Sequence, residues 1–158
     1  MLSVIRRRVG QFAVGRVAMV ARMALAPVAL GATALLIDRD GKVGLVRHSY
    51  SEGLSLPGGG VGRGEPPQTA ILRELQEELG TVRADPPAFF GLYTRPAGWV
   101  TNLVVLYRLM NCEVEFRPSL EVRELVFVDP RDLPPGVLRG TRRRLAEHCG
   151  AAPIDPFW

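Results

Sequence analysis

Only two of the 158 residues are cysteines, Cys112 and Cys149, and only two are histidines, His48 and His148. None has a partner at the spacing of a zinc site or a Cys-x-x-Cys redox motif, which excludes both chemistries as the basis of function. Two lone thiols fit a reducing compartment, so the expected location is cytoplasmic. The histidines read as ordinary surface or partly buried residues. Nowhere does an uninterrupted apolar run approach the roughly 18 residues that cross a bilayer. The opening "MLSVIRRRVGQFAVGRVAMVARMALAP" is broken by Arg16 and Arg22, and Pro27 would follow any cut after Ala24-Leu25-Ala26, so neither a leader nor a span is read there. Leu2, Ile5, Val9, Phe12, Met19 and Met23 recur at helical spacing instead. Residues 1–27 are predicted to form a basic amphipathic helix ended by Pro27. Its apolar face is expected to dock on the rest of the chain, or on a second copy to make a homodimer, rather than on a membrane surface.

Acidic residues are in the minority, 16 against 20 lysines and arginines. The excess lies partly in Arg6, Arg7, Arg8, Arg16 and Arg22 and partly in Arg139, Arg142, Arg143 and Arg144. This balance permits an anionic ligand without requiring one. No helix-turn-helix, zinc finger or aromatic RNA-binding signature accompanies the arginines, so no nucleic-acid partner is expected. Apolar residues make up 47% and charged residues 23%, as in ordinary globular proteins. Residues 28–158 are of a length to form one domain.

Val28–Ile37 is a continuous apolar run suited to a buried strand. Asp40-Gly41 supplies a turn, and Lys42–Tyr50 returns as a second strand. A glycine-rich loop follows, then a helix from about Pro66 to Leu79, with the prolines in its first turn and Gly80 at its end. Ala88–Thr94, Thr101–Met110 and Glu124–Asp129 read as further strands, and Thr141–Cys149 as a last helix. Strands alternating with well-separated helices predict an α/β fold, a mixed sheet covered by helices.

The loop and the helix after it, "LPGGGVGRGEPPQTAILRELQEELG", carry opposite preferences. The glycines suit phosphate, yet Glu65 stands where a Walker loop needs lysine, and no register gives Gly-x-Gly-x-x-Gly. Ile71, Leu75 and Leu79 form an apolar stripe on the helix. At roughly 100° per residue, Glu74, Glu77 and Glu78 fan out beside it, at the edge of the core. Glu74 and Glu78 are a like-charged pair one turn apart, and Glu77 and Glu78 sit at the negative end of the helix dipole. A solvated charged face with Arg73 pairing Glu77 explains one glutamate of the three. A hard divalent cation bridging carboxylates to substrate phosphates explains them all.

In register, Gly59, Glu65, Arg73, Glu74, Leu75, Glu77, Glu78 and Gly80 match the Nudix box, and the chain is identified as resembling the Nudix hydrolases. The departure is Thr81 in the last apolar position, with Val82 beside it. The resemblance implies an α/β/α sandwich with a mixed β-sheet and the box loop-helix. It also implies a Mg²⁺- or Mn²⁺-dependent hydrolase that cleaves the pyrophosphate of a nucleotide-type small molecule. Glu74, Glu77 and Glu78 would hold the metal with backbone approach at Gly59, Arg73 would brace a box glutamate, and Glu65 would fix the loop. The general base would be either a box glutamate or a carboxylate from a later loop, and outside the box Glu121 is preferred to Glu124. Arg47, Gly58, Gly59, Tyr93, Arg95 and Pro96 are the candidate substrate contacts. Pro96, sixteen residues beyond the box glycine, resembles the proline of ADP-ribose hydrolases, and Tyr93 and Trp99 could stack a base. The implied substrate is ADP-ribose or a nucleotide sugar; nucleoside triphosphates, or a non-catalytic nucleotide sensor, are the alternatives.

Overall fold

The structure, a computed structural model, describes residues 27–158. Apart from Pro27, the helix predicted over 1–27 lies outside the described residues. Nine strands and two helices follow in order: β1 (Val28–Ile37), β2 (Val43–His48), β3 (Leu54–Ser55), β4 (Gly58–Gly60), α1 (Pro67–Leu79), β5 (Gly80–Arg83), β6 (Ala88–Ala97), β7 (Val100–Leu109), β8 (Glu113–Phe116), β9 (Val122–Val128) and α2 (Arg139–His148).

Seven strands form one mixed sheet in the order β3-β2-β1-β7-β6, with β9 paired to β2 and β4 to β1. Its backbone is the parallel pair β1 and β7, in register from Val28↔Thr101 to Leu36↔Leu109. Strand β1 is apolar on both sides because the sheet is covered on both faces. On one face Ala34 and Leu36 pack against Ala70, Ile71, Leu75 and Leu79 of α1. On the other, Leu35 and Ile37 join the cluster that holds Leu145 of α2. The alternation of β1 thus serves two cores, and the layers are α/β/α as expected. A separate antiparallel pair, β5 with β8, runs on from the end of α1. Gly80, at φ 91°, makes that turn from helix to strand possible.

Strand β1 also determines where the glycine loop goes. It pairs with β2 only at Leu36 and Ile37, so its earlier residues offer a free edge on that side. Gly58–Gly60 takes that edge in the register Thr33↔Gly58, Ala32↔Gly59 and Gly31↔Gly60. What reads as a loop is therefore a short strand. Thr33 Oγ1 and the Ala34 N–H both donate to the Pro57 carbonyl, at 2.8 and 3.0 Å, which closes the corner before it.

Candidate active site

Strand β4 and helix α1 meet side by side, and the box residues lie between them. At Gly58 φ is 138°, and a Cβ would overlap the Ala32 carbonyl and the Thr33 Cα. Only glycine fits, and its N–H donates to Glu78 Oε2 at 2.9 Å. At Gly59 a Cβ would strike the Glu74 carboxylate. The absence of side chains on this strand is what lets two carboxylates reach the backbone.

Arg73 organises the others. Its Nε and Nη2 donate to the two oxygens of Glu65, each at 3.0 Å, in a bidentate pair. Nη1 donates to Glu74 Oε1 at 2.8 Å and to Glu77 Oε2 at 3.1 Å, and Nη2 also reaches the Gly60 carbonyl at 3.0 Å. A planar fork with five donors is the side chain that can do this; lysine cannot. The hydrogen bonds that Arg73 donates to Glu65 and Glu74 hold the guanidinium above its usual range, while Arg73 and the Gly62 N–H hold the Glu65 carboxyl below its own.

Glu78 is different. Its side chain is 4% exposed and, among the described residues, forms no ion pair with an arginine. Burial first, then repulsion from Glu74, Glu121 and Glu77, pushes its carboxyl up to about 7, against the pull of the Gly58 N–H. Among the described residues no three acidic or histidine side chains are already drawn together as a metal cage. Arg73 holds one oxygen of Glu74 and one of Glu77, and the other oxygen of each has no hydrogen-bond partner among the described residues. Clustered carboxylates, one of them buried with no lysine or arginine partner among the described residues, beside a strand with no side chains form a donor set that fits a hard divalent cation.

Glu121, just before β9, adds to the charge that acts on Glu78. Glu124 faces Arg47 across the β2–β9 pair and binds its Nε at 2.7 Å. Glu121 is thus beside the box and Glu124 is not. Arg47 is held by Glu124 and by the Glu52 carbonyl and does not line the cleft that opens at β4.

A cleft of about 850 Å³ opens at β4, with Gly58–Gly60 on one side and the first turn of α2 on another. Arg95 lines it; Pro96, paired with Thr101 in β6–β7, does not. Tyr93 must be corrected. It is 0% exposed, its hydroxyl donates to Glu147 at 2.9 Å, and Arg144 lies 3.9 Å over its ring. No base can stack on it. Trp99 is 78% exposed and stands off the cleft. The aromatic walls are instead Tyr50 and Trp158, neither foreseen. His48 was also missed: it stacks on Tyr50 with centroids 5.0 Å apart, and its Nδ1 lies 3.9 Å from Glu78 Oε1. Burial lowers its pKa. No spacing in the sequence links His48 to Glu78; the fold alone brings them together.

Cys112 is buried and its thiol is pushed up to about 11, chiefly by burial. Among the described residues no helix is long and apolar enough to cross a membrane.

Comparison with known proteins points the same way as the geometry. An RNA pyrophosphohydrolase of Rhodospirillum rubrum is 37% identical over 75 residues, which cover 47% of this chain and 42% of that protein. An ADP-ribose pyrophosphatase of Methanocaldococcus jannaschii is 27% identical over 106 residues, covering 63% and 61%. The chain therefore matches less than two thirds of the length of these curated relatives. Among solved structures, a MutT NUDIX hydrolase from Burkholderia pseudomallei superposes with a TM-score of 0.65 at 24% identity, covering 75% of this chain and 95% of that one. The family model of the NUDIX domain matches residues 27–149. With the whole sheet, both helices and the box inside that range, the chain belongs to the NUDIX domain family.

Proposed function

We propose that this protein hydrolyses the pyrophosphate bond of a nucleotide-type substrate with a divalent cation, Mg²⁺ or Mn²⁺, held by Glu74, Glu77 and Glu78. The observation that carries this reading is the convergence of the Glu74 and Glu78 side chains on the glycine strand, with Arg73 bracing the neighbouring carboxylates. When bound, the cation neutralises pyrophosphate charge and makes a water molecule acidic enough to attack phosphorus. Gly58 and Gly59 leave room for phosphate oxygens at the backbone. Arg73 keeps Glu74 and Glu77 oriented, so little reorganisation is needed as the ligand arrives. Glu121, unpaired in any salt bridge among the described residues and close enough to add to the charge on Glu78, is the group we assign to accept the proton of the attacking water.

The substrate class we favour is a nucleoside diphosphate linked to a second group, with ADP-ribose to be tested first. Support comes from the relative named an ADP-ribose pyrophosphatase and from a cleft with room beyond a pyrophosphate and aromatic rings on its walls. The test is a Mg²⁺-dependent screen over ADP-ribose, nucleotide sugars, dinucleoside polyphosphates and nucleoside triphosphates, with Glu77→Gln as control. The Glu77 side chain is 60% exposed, so the substitution spares the fold. Turnover lost by orders of magnitude in the control is expected. A wild-type rate in it refutes the metal assignment, and binding without turnover by the wild type favours a nucleotide sensor. A kcat/KM for a triphosphate ten times that for ADP-ribose, about 1.4 kcal/mol of transition-state preference, refutes the substrate class.

A further inference from the structure

The cleft has a second wall that takes no part in the carboxylate cluster: the start of α2. Helix α2 is ten residues long, its N-cap Leu138 provides no side-chain cap, and no acidic residue lies in its first turn. The Leu138 N–H donates to Leu54, and Arg142 is the first residue to bond back, to the Leu138 carbonyl at 2.9 Å. The N–H groups of Arg139, Gly140 and Thr141 therefore have no backbone acceptor among the described residues. Helix starts are usually closed by Ser, Thr, Asp or Asn. This one is left open along the cleft.

An independent feature lies at the same place. Thr141 is a polar residue 2% exposed, it lines the cleft, and its hydroxyl has no hydrogen-bond partner among the described residues. The hydroxyl is not fully enclosed, so the little access it keeps is to the cleft, where an anion's oxygen can accept from it. Arg139 and Arg95 line the same space and enter no ion pair among the described residues. Arg143 is committed elsewhere, to Asp155 and to the Trp158 carbonyl. The Trp158 indole lies so close over Gly140 that a Cβ there would strike its Nε1. Three backbone N–H groups, one hydroxyl and two guanidiniums make a wall almost wholly of donors with net positive charge. Such a wall selects an anion with several oxygens.

We infer that the open start of α2, with Thr141, Arg139 and Arg95, is a phosphate subsite separate from the pyrophosphate position at the box. Given the proposed hydrolysis, favoured substrates carry a further phosphate remote from the scissile bond. That phosphate is either a monoester on the ribose of a small nucleotide or the next diester of an oligonucleotide; the chemistry recognised is the same.

Calorimetry with the full chain and Mg²⁺ tests the subsite apart from turnover, using AMP, adenosine 3′,5′-bisphosphate and a 5′-phosphorylated dinucleotide as probes. At least tenfold tighter binding of the bisphosphate than of AMP is expected, shrinking as salt rises. Arg139→Gln, at an exposed position, and Thr141→Val should each close the gap; if Thr141→Val melts early, Arg139→Gln decides. A dinucleotide that binds tighter still identifies a diester, and the reverse a monoester. Equal affinity for AMP and bisphosphate, including no measurable binding of either, overturns the inference, as does a gap unchanged in Arg139→Gln. ADP-ribose and its 2′-phosphate, compared as substrates, separate the two readings. Turnover without preference sinks the subsite and leaves the hydrolase. Bisphosphate preference without turnover of any nucleotide does the opposite.

Discussion

Replacing Glu78 by Gln should stabilise the metal-free protein and abolish its response to metal. Glu78 is buried, and its carboxyl stands at about 7 instead of 4.5, mainly through desolvation. Keeping it ionised in the folded chain therefore costs about 3 kcal/mol, at roughly 1.4 kcal/mol per tenfold change in acidity. The group is protonated more readily folded than unfolded. Its contribution to stability is complete below pH 4.5, falls through the interval from 4.5 to about 7, and is lost above it. Glutamine keeps an oxygen to accept the Gly58 N–H and carries no charge, and neighbouring carboxylates can accept from its amide. In EDTA at about pH 8 the variant should melt higher than the wild type, by up to roughly 6–12 °C at 2–4 °C per kcal/mol. At about pH 5 the difference should shrink to that of about 1 kcal/mol. Saturating Mg²⁺ should reverse the order, because a ligand that binds only the folded state raises stability by mass action and the variant has lost part of the site. Thermal melts at the two pH values, with EDTA and with Mg²⁺, provide the assay. A variant less stable than the wild type in EDTA at pH 8, or equal stabilisation of both by Mg²⁺, refutes this account of Glu78.

Two further substitutions separate roles. Gly59→Ala puts a Cβ against the Glu74 carboxylate, which can swing aside, so kcat should fall at least about tenfold through misplacement with the melt nearly unchanged; Gly58→Ala meets backbone at a φ of 138° and should cost stability as well. An unaltered kcat in Gly59→Ala would count against close approach at that glycine. Arg144→Met removes a fully buried guanidinium that bonds Glu147 at 2.6 Å, leaving that carboxylate to the Tyr93 hydroxyl and the Asp155 N–H. Breaking a buried pair on one side should cost about 3 kcal/mol, roughly 6–12 °C in the melt. A shift under about 2 °C would mean that the network contributes no stability.

What could be read ahead of the structure follows how local each signal is. Strand β1 has the bounds its apolar run implies, and α1 begins within a residue of the expected place, because burial pattern, prolines and Gly80 all act within the segment itself. Strands β3, β4, β5 and β8 are two to four residues long and owe their pairing to distant partners. Gly58–Gly60, with no side chains and poor strand propensity, could not be told from a loop, since only the open edge of β1 makes it a strand. Tyr93 was misplaced for a related reason. Alternation says that Leu92 and Tyr93 face opposite ways, but which one faces inward depends on the β6–β7 register and on Arg144 and Glu147, some fifty residues further along.

The same contrast explains why the box was legible and the far wall of the cleft was not. The box residues are bound to one another by short-range geometry: Arg73 reaches Glu65, Glu74 and Glu77 because eight, one and four residues of loop and helix put them there. Spacing along the chain is then a direct image of spacing in the site. At the far wall Arg95 comes from β6, Thr141 and Arg139 from α2, and Trp158 from the segment that pairs with Thr94. Their neighbourhood exists only after β1 and β7 have aligned and α2 has closed the second core. The end of the cleft that we propose holds the metal is thus encoded locally. The far wall, where we infer a phosphate subsite, is assembled from distant segments, so a substitution at Arg139 or Thr141 is expected to alter that subsite without disturbing the carboxylates.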